Sequence, residues 1–143
     1  MNTSTTLTPS PLPCLCRSEL KVLLVDDDSI QLDQISDVLR SLCITDITHA
    51  SSAEQALKVL GSKPHSFDLL LLDLHMHSID GFAFLESIAR DIYRGALIIV
   101  TGQSVFAMHA ASLVAQLREF TLLGSLQKPF RKDALQQLIS KLA

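Results

Sequence analysis

Phe67-Asp68-Leu69-Leu70-Leu71-Leu72-Asp73 decides how this chain is read: a short apolar run that ends on a carboxylate. Four to eight apolar residues without polar alternation are the mark of a strand buried on both faces, as in a parallel sheet. Two further runs have the same form. Val22-Leu23-Leu24-Val25 ends on Asp26-Asp27-Asp28, and Leu97-Ile98-Ile99-Val100 ends on Thr101. A fourth run, 122–127, leads into Lys128-Pro129-Phe130. In open parallel sheets, ligands bind in the crevice beyond the carboxyl ends of the strands. Asp26, Asp27, Asp73, Thr101 and Lys128 are therefore expected to meet in one site.

Helical patterns separate these runs, the signature of repeated βα units in an α/β fold with a parallel sheet. Asp28 can cap a first helix with Gln31 as its reciprocal partner, and Ile35, Val38, Leu39 and Leu42 form its apolar stripe. A weaker strand is expected over 47–50. Ser51 and Glu54 then form a predicted capping box for a helix burying Ala53, Ala56, Leu57 and Leu60, which ends at Gly61-Ser62-Lys63-Pro64. Asp80-Gly81 turns the chain into a helix carrying Phe82, Leu85, Ile88 and Ile92. An Ala-rich helix is expected over 104–118, and a last helix buries Leu135, Leu138, Ile139 and Leu142. Five strands and five helices in strict alternation leave room for one domain, residues 20–143. Residues 1–19, rich in Thr, Ser and Pro, read as a flexible leader.

Composition narrows the function classes. With 48% hydrophobic and 19% charged residues, the 143-residue chain can bury a sizeable core. A net charge of −3 gives no basic surface for direct nucleic-acid binding. No apolar run approaches the roughly 20 residues that span a bilayer, and the N-terminus lacks a secretory pattern. Cys14, Cys16 and Cys43 have no metal-ligand spacing and read as reduced thiols of a cytoplasmic protein.

Three carboxylates crowded at strand ends repel one another unless a cation sits among them. Magnesium suits such a site, because it prefers oxygen ligands and keeps places for water and phosphate oxygens. Asp73 could then act as a carboxylate nucleophile towards a phosphoryl donor. Lys128 and the metal would neutralise the phosphoryl oxygens, and Thr101 would hydrogen-bond one of them. Singly, an acidic residue at a strand end is as readily a solvated loop charge or a helix cap. It is the combination that points to phosphoryl chemistry.

On Val25-Asp26-Asp27-Asp28, Leu72-Asp73-Leu74-His75-Met76, Asp80-Gly81, Val100-Thr101-Gly102 and Lys128-Pro129-Phe130, residues 21–143 resemble a receiver domain of two-component response regulators. The resemblance implies a doubly wound, five-stranded CheY-like (flavodoxin-like) sheet flanked by five helices. It implies Asp73 as phosphoacceptor for a histidine kinase or phosphotransfer protein, and Thr101 and Lys128 as sensors of the phosphoryl group. It also implies Mg2+ held by Asp27, Asp73 and the His75 backbone carbonyl, with Asp26 acting mainly through water. Such a domain is no enzyme in its own right beyond promoting its own phosphotransfer and dephosphorylation, and it controls an effector domain or partner protein.

The chain departs from the family at His77, at Ser125 and in the segment 113–124, which is longer than usual. His77 stands where proline usually follows Met76. A zinc site built on His75-Met76-His77, with His49, His65 and His109 elsewhere in the chain, is weaker than a reading of exposed loop histidines. Ser125 stands where an aromatic switch residue is common. His75 and Gln103 are expected to flank the phosphoryl group and to set its lifetime. The ending 122–130 is similar to receivers joined to EAL-type cyclic-di-GMP phosphodiesterase domains. Two rivals are a haloacid-dehalogenase-like phosphatase, for which Asp133 would have to supply a downstream acid, and a receiver-like scaffold that is not phosphorylated.

Overall fold

A computed structural model describes residues 19–62, 67–74, 81–88, 93, 95–102, 105–118 and 120–142. Most of the expected leader, with Cys14 and Cys16, lies outside the described residues, as do His65, the whole segment 75–80 and Gln103. Strands β1 (Lys21–Val25), β2 (Asp46–Ala50), β3 (Leu69–Asp73), β4 (Ala96–Thr101) and β5 (Thr121–Gln127) alternate with helices α1 (Ser29–Ser41), α2 (Ala53–Ser62), α3 (Gly81–Ile88), α4 (Val105–Leu117) and α5 (Lys132–Ile139). A single 3-10 turn, Ser140–Leu142, follows α5. The strands form one sheet in the order β2-β1-β3-β4-β5, every pair parallel. The expected doubly wound α/β fold is the one observed.

The unbroken apolar runs serve two cores at once, because successive side chains of a strand point to opposite faces. Leu23, Val25, Leu70, Leu72, Leu97 and Ile99 pack with buried residues of α2, α3 and α4, including Ala56, Leu60, Phe84, Leu85, Ile88, Ala111 and Ala115. Val22, Leu24, Leu69, Leu71, Ile98 and Val100 pack with Leu32, Ile35 and Leu39 of α1 and Leu135 and Ile139 of α5. Every residue of β3 and β4 is buried, which only a strand covered on both faces can be. Phe84, buried in α3, was not part of the expected stripe. Tyr93 is also buried, its hydroxyl donating to the Ala96 carbonyl. Burial, with the Asp68 charge second, pushes its phenol far above the ordinary range, so it anchors the chain rather than titrating.

Two caps differ from their expected form. Asp28 does cap α1, its Oδ1 accepting from the Ile30 N–H at 3.0 Å. Its own N–H, however, donates to Asp26 Oδ1 at 3.0 Å, so the reciprocal partner is Asp26 rather than Gln31. At α2 the box sits one residue later than Ser51 and Glu54. Ser52 Oγ accepts from the Gln55 N–H at 3.1 Å, and Gln55 Oε1 accepts from the Ser51 N–H at 2.7 Å. Ser52 and Gln55 thus share the cap, but Gln55 reaches back one residue further, to Ser51, and two adjacent serines leave the register ambiguous.

The β4–β5 ladder carries an irregularity. Leu97 pairs with Leu122 but Ile98 pairs with Gly124, so Leu123 is an extra residue on β5. Such a bulge reverses the facing of the residues beyond it. Leu123 and Leu126 consequently both join the core on the α1/α5 face, three positions apart. Lys141 Nζ donates to the carbonyl of Leu123 at 2.9 Å. Among the described residues, no helix is long and apolar enough to cross a membrane.

Candidate phosphoacceptor site

The sheet ladder itself positions the site. Asp26 lies one step past β1 and keeps strand pairing, its N–H donating to the Ala50 carbonyl at 3.1 Å. Asp73 ends β3 opposite Val100, and the next N–H, of Leu74, donates to the Val100 carbonyl at 3.1 Å. Thr101 ends β4 opposite Gln127, and its carbonyl accepts from the Lys128 N–H at 2.8 Å. Four chemically active side chains thus stand on adjacent strands at one edge, where continuous backbone pairing limits their movement. Asp26, Asp73 and Thr101 are buried, and Asp27 is half-buried.

One carboxylate oxygen from each of Asp26, Asp27 and Asp73 lies within 4.8 Å of the others. Lys128 Nζ is 2.8 Å from Asp26 Oδ2 and 3.5 Å from Asp73 Oδ2. At these distances the ammonium is the local counter-charge to the acidic cluster, and partial burial strengthens the attraction. Both oxygens of Asp26 are engaged, Oδ1 by the Asp28 N–H and Oδ2 by Lys128. The donor set consists of three closely spaced hard oxygen anions, which fits a small divalent cation that takes oxygen ligands. A soft metal would call for thiolate or imidazole, and the cluster contains neither.

The structure brings together Asp26, Asp27, Asp73 and Lys128, with Thr101 on the strand next to Asp73. His75 and Gln103 fall outside the described residues, as does His77. Asp133, which the phosphatase alternative requires, is instead exposed in the first turn of α5, its Oδ1 3.2 Å from Arg131 Nε. It does not belong to the carboxylate cluster. Two features had no precursor in the sequence. One is an open groove of about 310 Å³ beside the site, lined by Gln31, Gln34, Ile35, Val38, Lys128, Pro129 and Phe130. The two groups of lining residues are 90 or more positions apart in sequence, so no local pattern announces it. The other is a two-point ion pair between Glu86 and Arg118.

Comparison with known proteins bears on the family and the fold. The sequence profile of the family described as "Response regulator receiver domain" matches residues 22–140. The probable chemotaxis protein CheY of Rhizobium etli is 31% identical over 123 residues, covering 85% of this chain and 90% of that protein. The two-component response regulator ARR2 of Arabidopsis thaliana is 29% identical over 85% of this chain, which spans only 17% of that longer protein. Among solved structures, the chemotaxis protein CheY4 of Vibrio cholerae superposes with a TM-score of 0.71 at 21% identity, over 87% of this chain and 98% of that one. A probable two-component system response regulator/GGDEF domain protein superposes with a TM-score of 0.74 at 25% identity, over 90% of this chain and 50% of that one. With the profile covering the sheet from its second residue, Val22, and all five helices, the chain belongs to the response regulator receiver domain family.

Proposed function

We propose that Asp73 is the phosphoacceptor of this receiver domain, which comprises residues 20–143. The observation that carries the reading is the meeting of three carboxylate oxygens within 4.8 Å and the Lys128 ammonium at the carboxyl ends of β1 and β3. The donor is a phosphohistidine on a histidine kinase or phosphotransfer protein. An Asp73 oxygen bonds to phosphorus as the P–N bond breaks, and its electron pair returns to the imidazole nitrogen. Mg2+, held by Asp27, Asp73 and the His75 carbonyl with Asp26 reached through water, would neutralise charge on the phosphoryl oxygens. That Asp26 already has a hydrogen bond on each oxygen supports its outer position.

Lys128 would leave Asp26 for a phosphoryl oxygen, and the Thr101 hydroxyl would donate to another. The groove formed by Ile35, Val38 and Phe130 adjoins Lys128, and the surface flanking the donor histidine would rest there. The domain would promote its own phosphotransfer and dephosphorylation and no other reaction. It would work in the cytoplasm without touching nucleic acid or membrane, controlling an effector domain or partner. The likeness of 122–130 to EAL-linked receivers favours an EAL-type effector, and some solved relatives carry GGDEF domains on the same chain.

Acetyl phosphate with magnesium should add one acid-stable, base-labile phosphoryl group, read by intact-protein mass. Asp73→Asn should abolish it. Label persisting in that variant would sink the assignment.

A further inference from the structure

Among its described side chains, α4 has no large one that is fully buried. It contains no Asp, Glu, Lys or Arg. Of its described side chains, those fully buried are the methyl groups of Ala111 and Ala115, while Val114 is half-buried and Leu113 is 49% exposed. Apolar stabilisation scales with area removed from water, so these methyl contacts lose little when the helix tilts or slides. α3 is different: it buries Phe84, Leu85 and Ile88 completely.

Arg118 closes the last turn of α4, its N–H donating to the Val114 carbonyl at 3.0 Å. Its guanidinium reaches across to α3, with Nε donating to Glu86 Oε1 at 2.9 Å and Nη2 to Oε2 at 2.6 Å. Most surface ion pairs contribute little, but a planar two-point fork fixes both distance and orientation. It also joins a significant pair of elements. α3 is the first described element after the strand ending in Asp73, and α4 is the first after the strand ending in Thr101.

Resting on Asp73 as acceptor, we infer that the Glu86–Arg118 fork is a latch that holds α4 in its resting position against α3 and opposes the shift that phosphorylation drives. A contact made more strongly in one position can bias the equilibrium only by its differential strength, and the coupling is reciprocal. Removing the fork should therefore loosen α4 and tighten binding of a phosphoryl mimic.

The test is titration of the full chain with beryllofluoride and Mg2+, together with hydrogen exchange over residues 105–118. Arg118→Gln and Glu86→Gln should each bind beryllofluoride about two- to fivefold more tightly than wild type, the scale of a surface ion pair. Each should also exchange faster in α4 before any mimic is added. The reversed pair Glu86→Arg/Arg118→Glu should return both readouts towards wild type. Unchanged or weaker binding in the single variants, with wild type binding normally, would overturn the latch and leave the acceptor site standing. A reversed pair that behaves like the single variants would overturn it as well. Failure of wild type itself to bind would remove the acceptor reading and the latch with it.

Discussion

The two sides of the sheet are built to different tolerances. β1, β3 and the start of β4 pair residue for residue, without interruption, from Val22 opposite Leu69 to Asp73 opposite Val100. β5 pairs through a bulge, turns at Gly124 with φ of +157°, and carries Ser125 where the family favours a ring. Chemistry that needs several groups held within a few ångströms tolerates no slip in register, since a one-residue shift would turn a carboxylate to the other face. The part of β5 before the residues that place Lys128 has no such demand. It can take an extra residue, a glycine and a small polar side chain, provided the helices still cover the core.

If the first side is rigid because its charges are balanced by Lys128, which reaches them from the end of β5, removing that ammonium should be the costliest change outside the apolar core. Lys128→Met leaves Asp26 and Asp73 buried without their ammonium. In metal-free buffer the variant should lose roughly 3 kcal/mol in urea denaturation. Saturating Mg2+ should restore much of the loss, because a divalent cation can take over the same oxygens. An equal loss with and without Mg2+ would show that the acidic cluster and the lysine do not balance one another.

On the β5 side the corresponding change is Gly124→Ala. An added Cβ would lie 2.5 Å from Leu138 Cδ2, and the backbone there is one that L side chains rarely adopt. The expected cost is roughly 1–3 kcal/mol, part strain and part overpacking. Leu138→Ala in the same background should relieve the overpacking while leaving the strain. If Gly124→Ala is neutral, the bulged strand is soft enough to re-register, and the two sides differ by even more than their ladders suggest.

Nearly all of the sheet and of the acidic site was legible because it rests on short-range signals. Unbroken apolar runs identify doubly buried strands, and a polar residue at the end of each identifies the crevice. The expected helix over 104–118 is observed as Val105–Leu117, and the last strand over 122–127 as Thr121–Gln127. What stayed hidden is either a choice between neighbouring residues or depends on residues far apart in sequence. Glu54 and Gln55 both fit a capping pattern behind two serines, so the local sequence does not choose between them. The Glu86–Arg118 fork spans 32 positions and the groove at Phe130 spans more, so both exist only once the helices have docked. The bulge at Leu123 is a matter of register between two strands, which neither strand encodes alone.

The smallest effect tests whether strain is confined to the β5 side. α1 ends in a closed turn in which the Ile44 N–H donates to the Leu39 carbonyl and the Cys43 N–H to the Arg40 carbonyl, both at 3.0 Å. That pattern places Cys43 at a left-handed position, with φ of 71°, which glycine usually fills. Here the chain has a Cβ where the backbone would do better without one, the converse of Gly124. Cys43→Gly removes that penalty but also frees the unfolded chain, and the two effects oppose each other. The half-buried thiol also loses its packing, so the net gain should be modest, roughly 0.5 kcal/mol in urea denaturation. Cys43→Ala keeps the Cβ and should show no gain. Stabilisation by alanine equal to that by glycine would trace the effect to the thiol, and backbone strain would then belong to the β5 side alone.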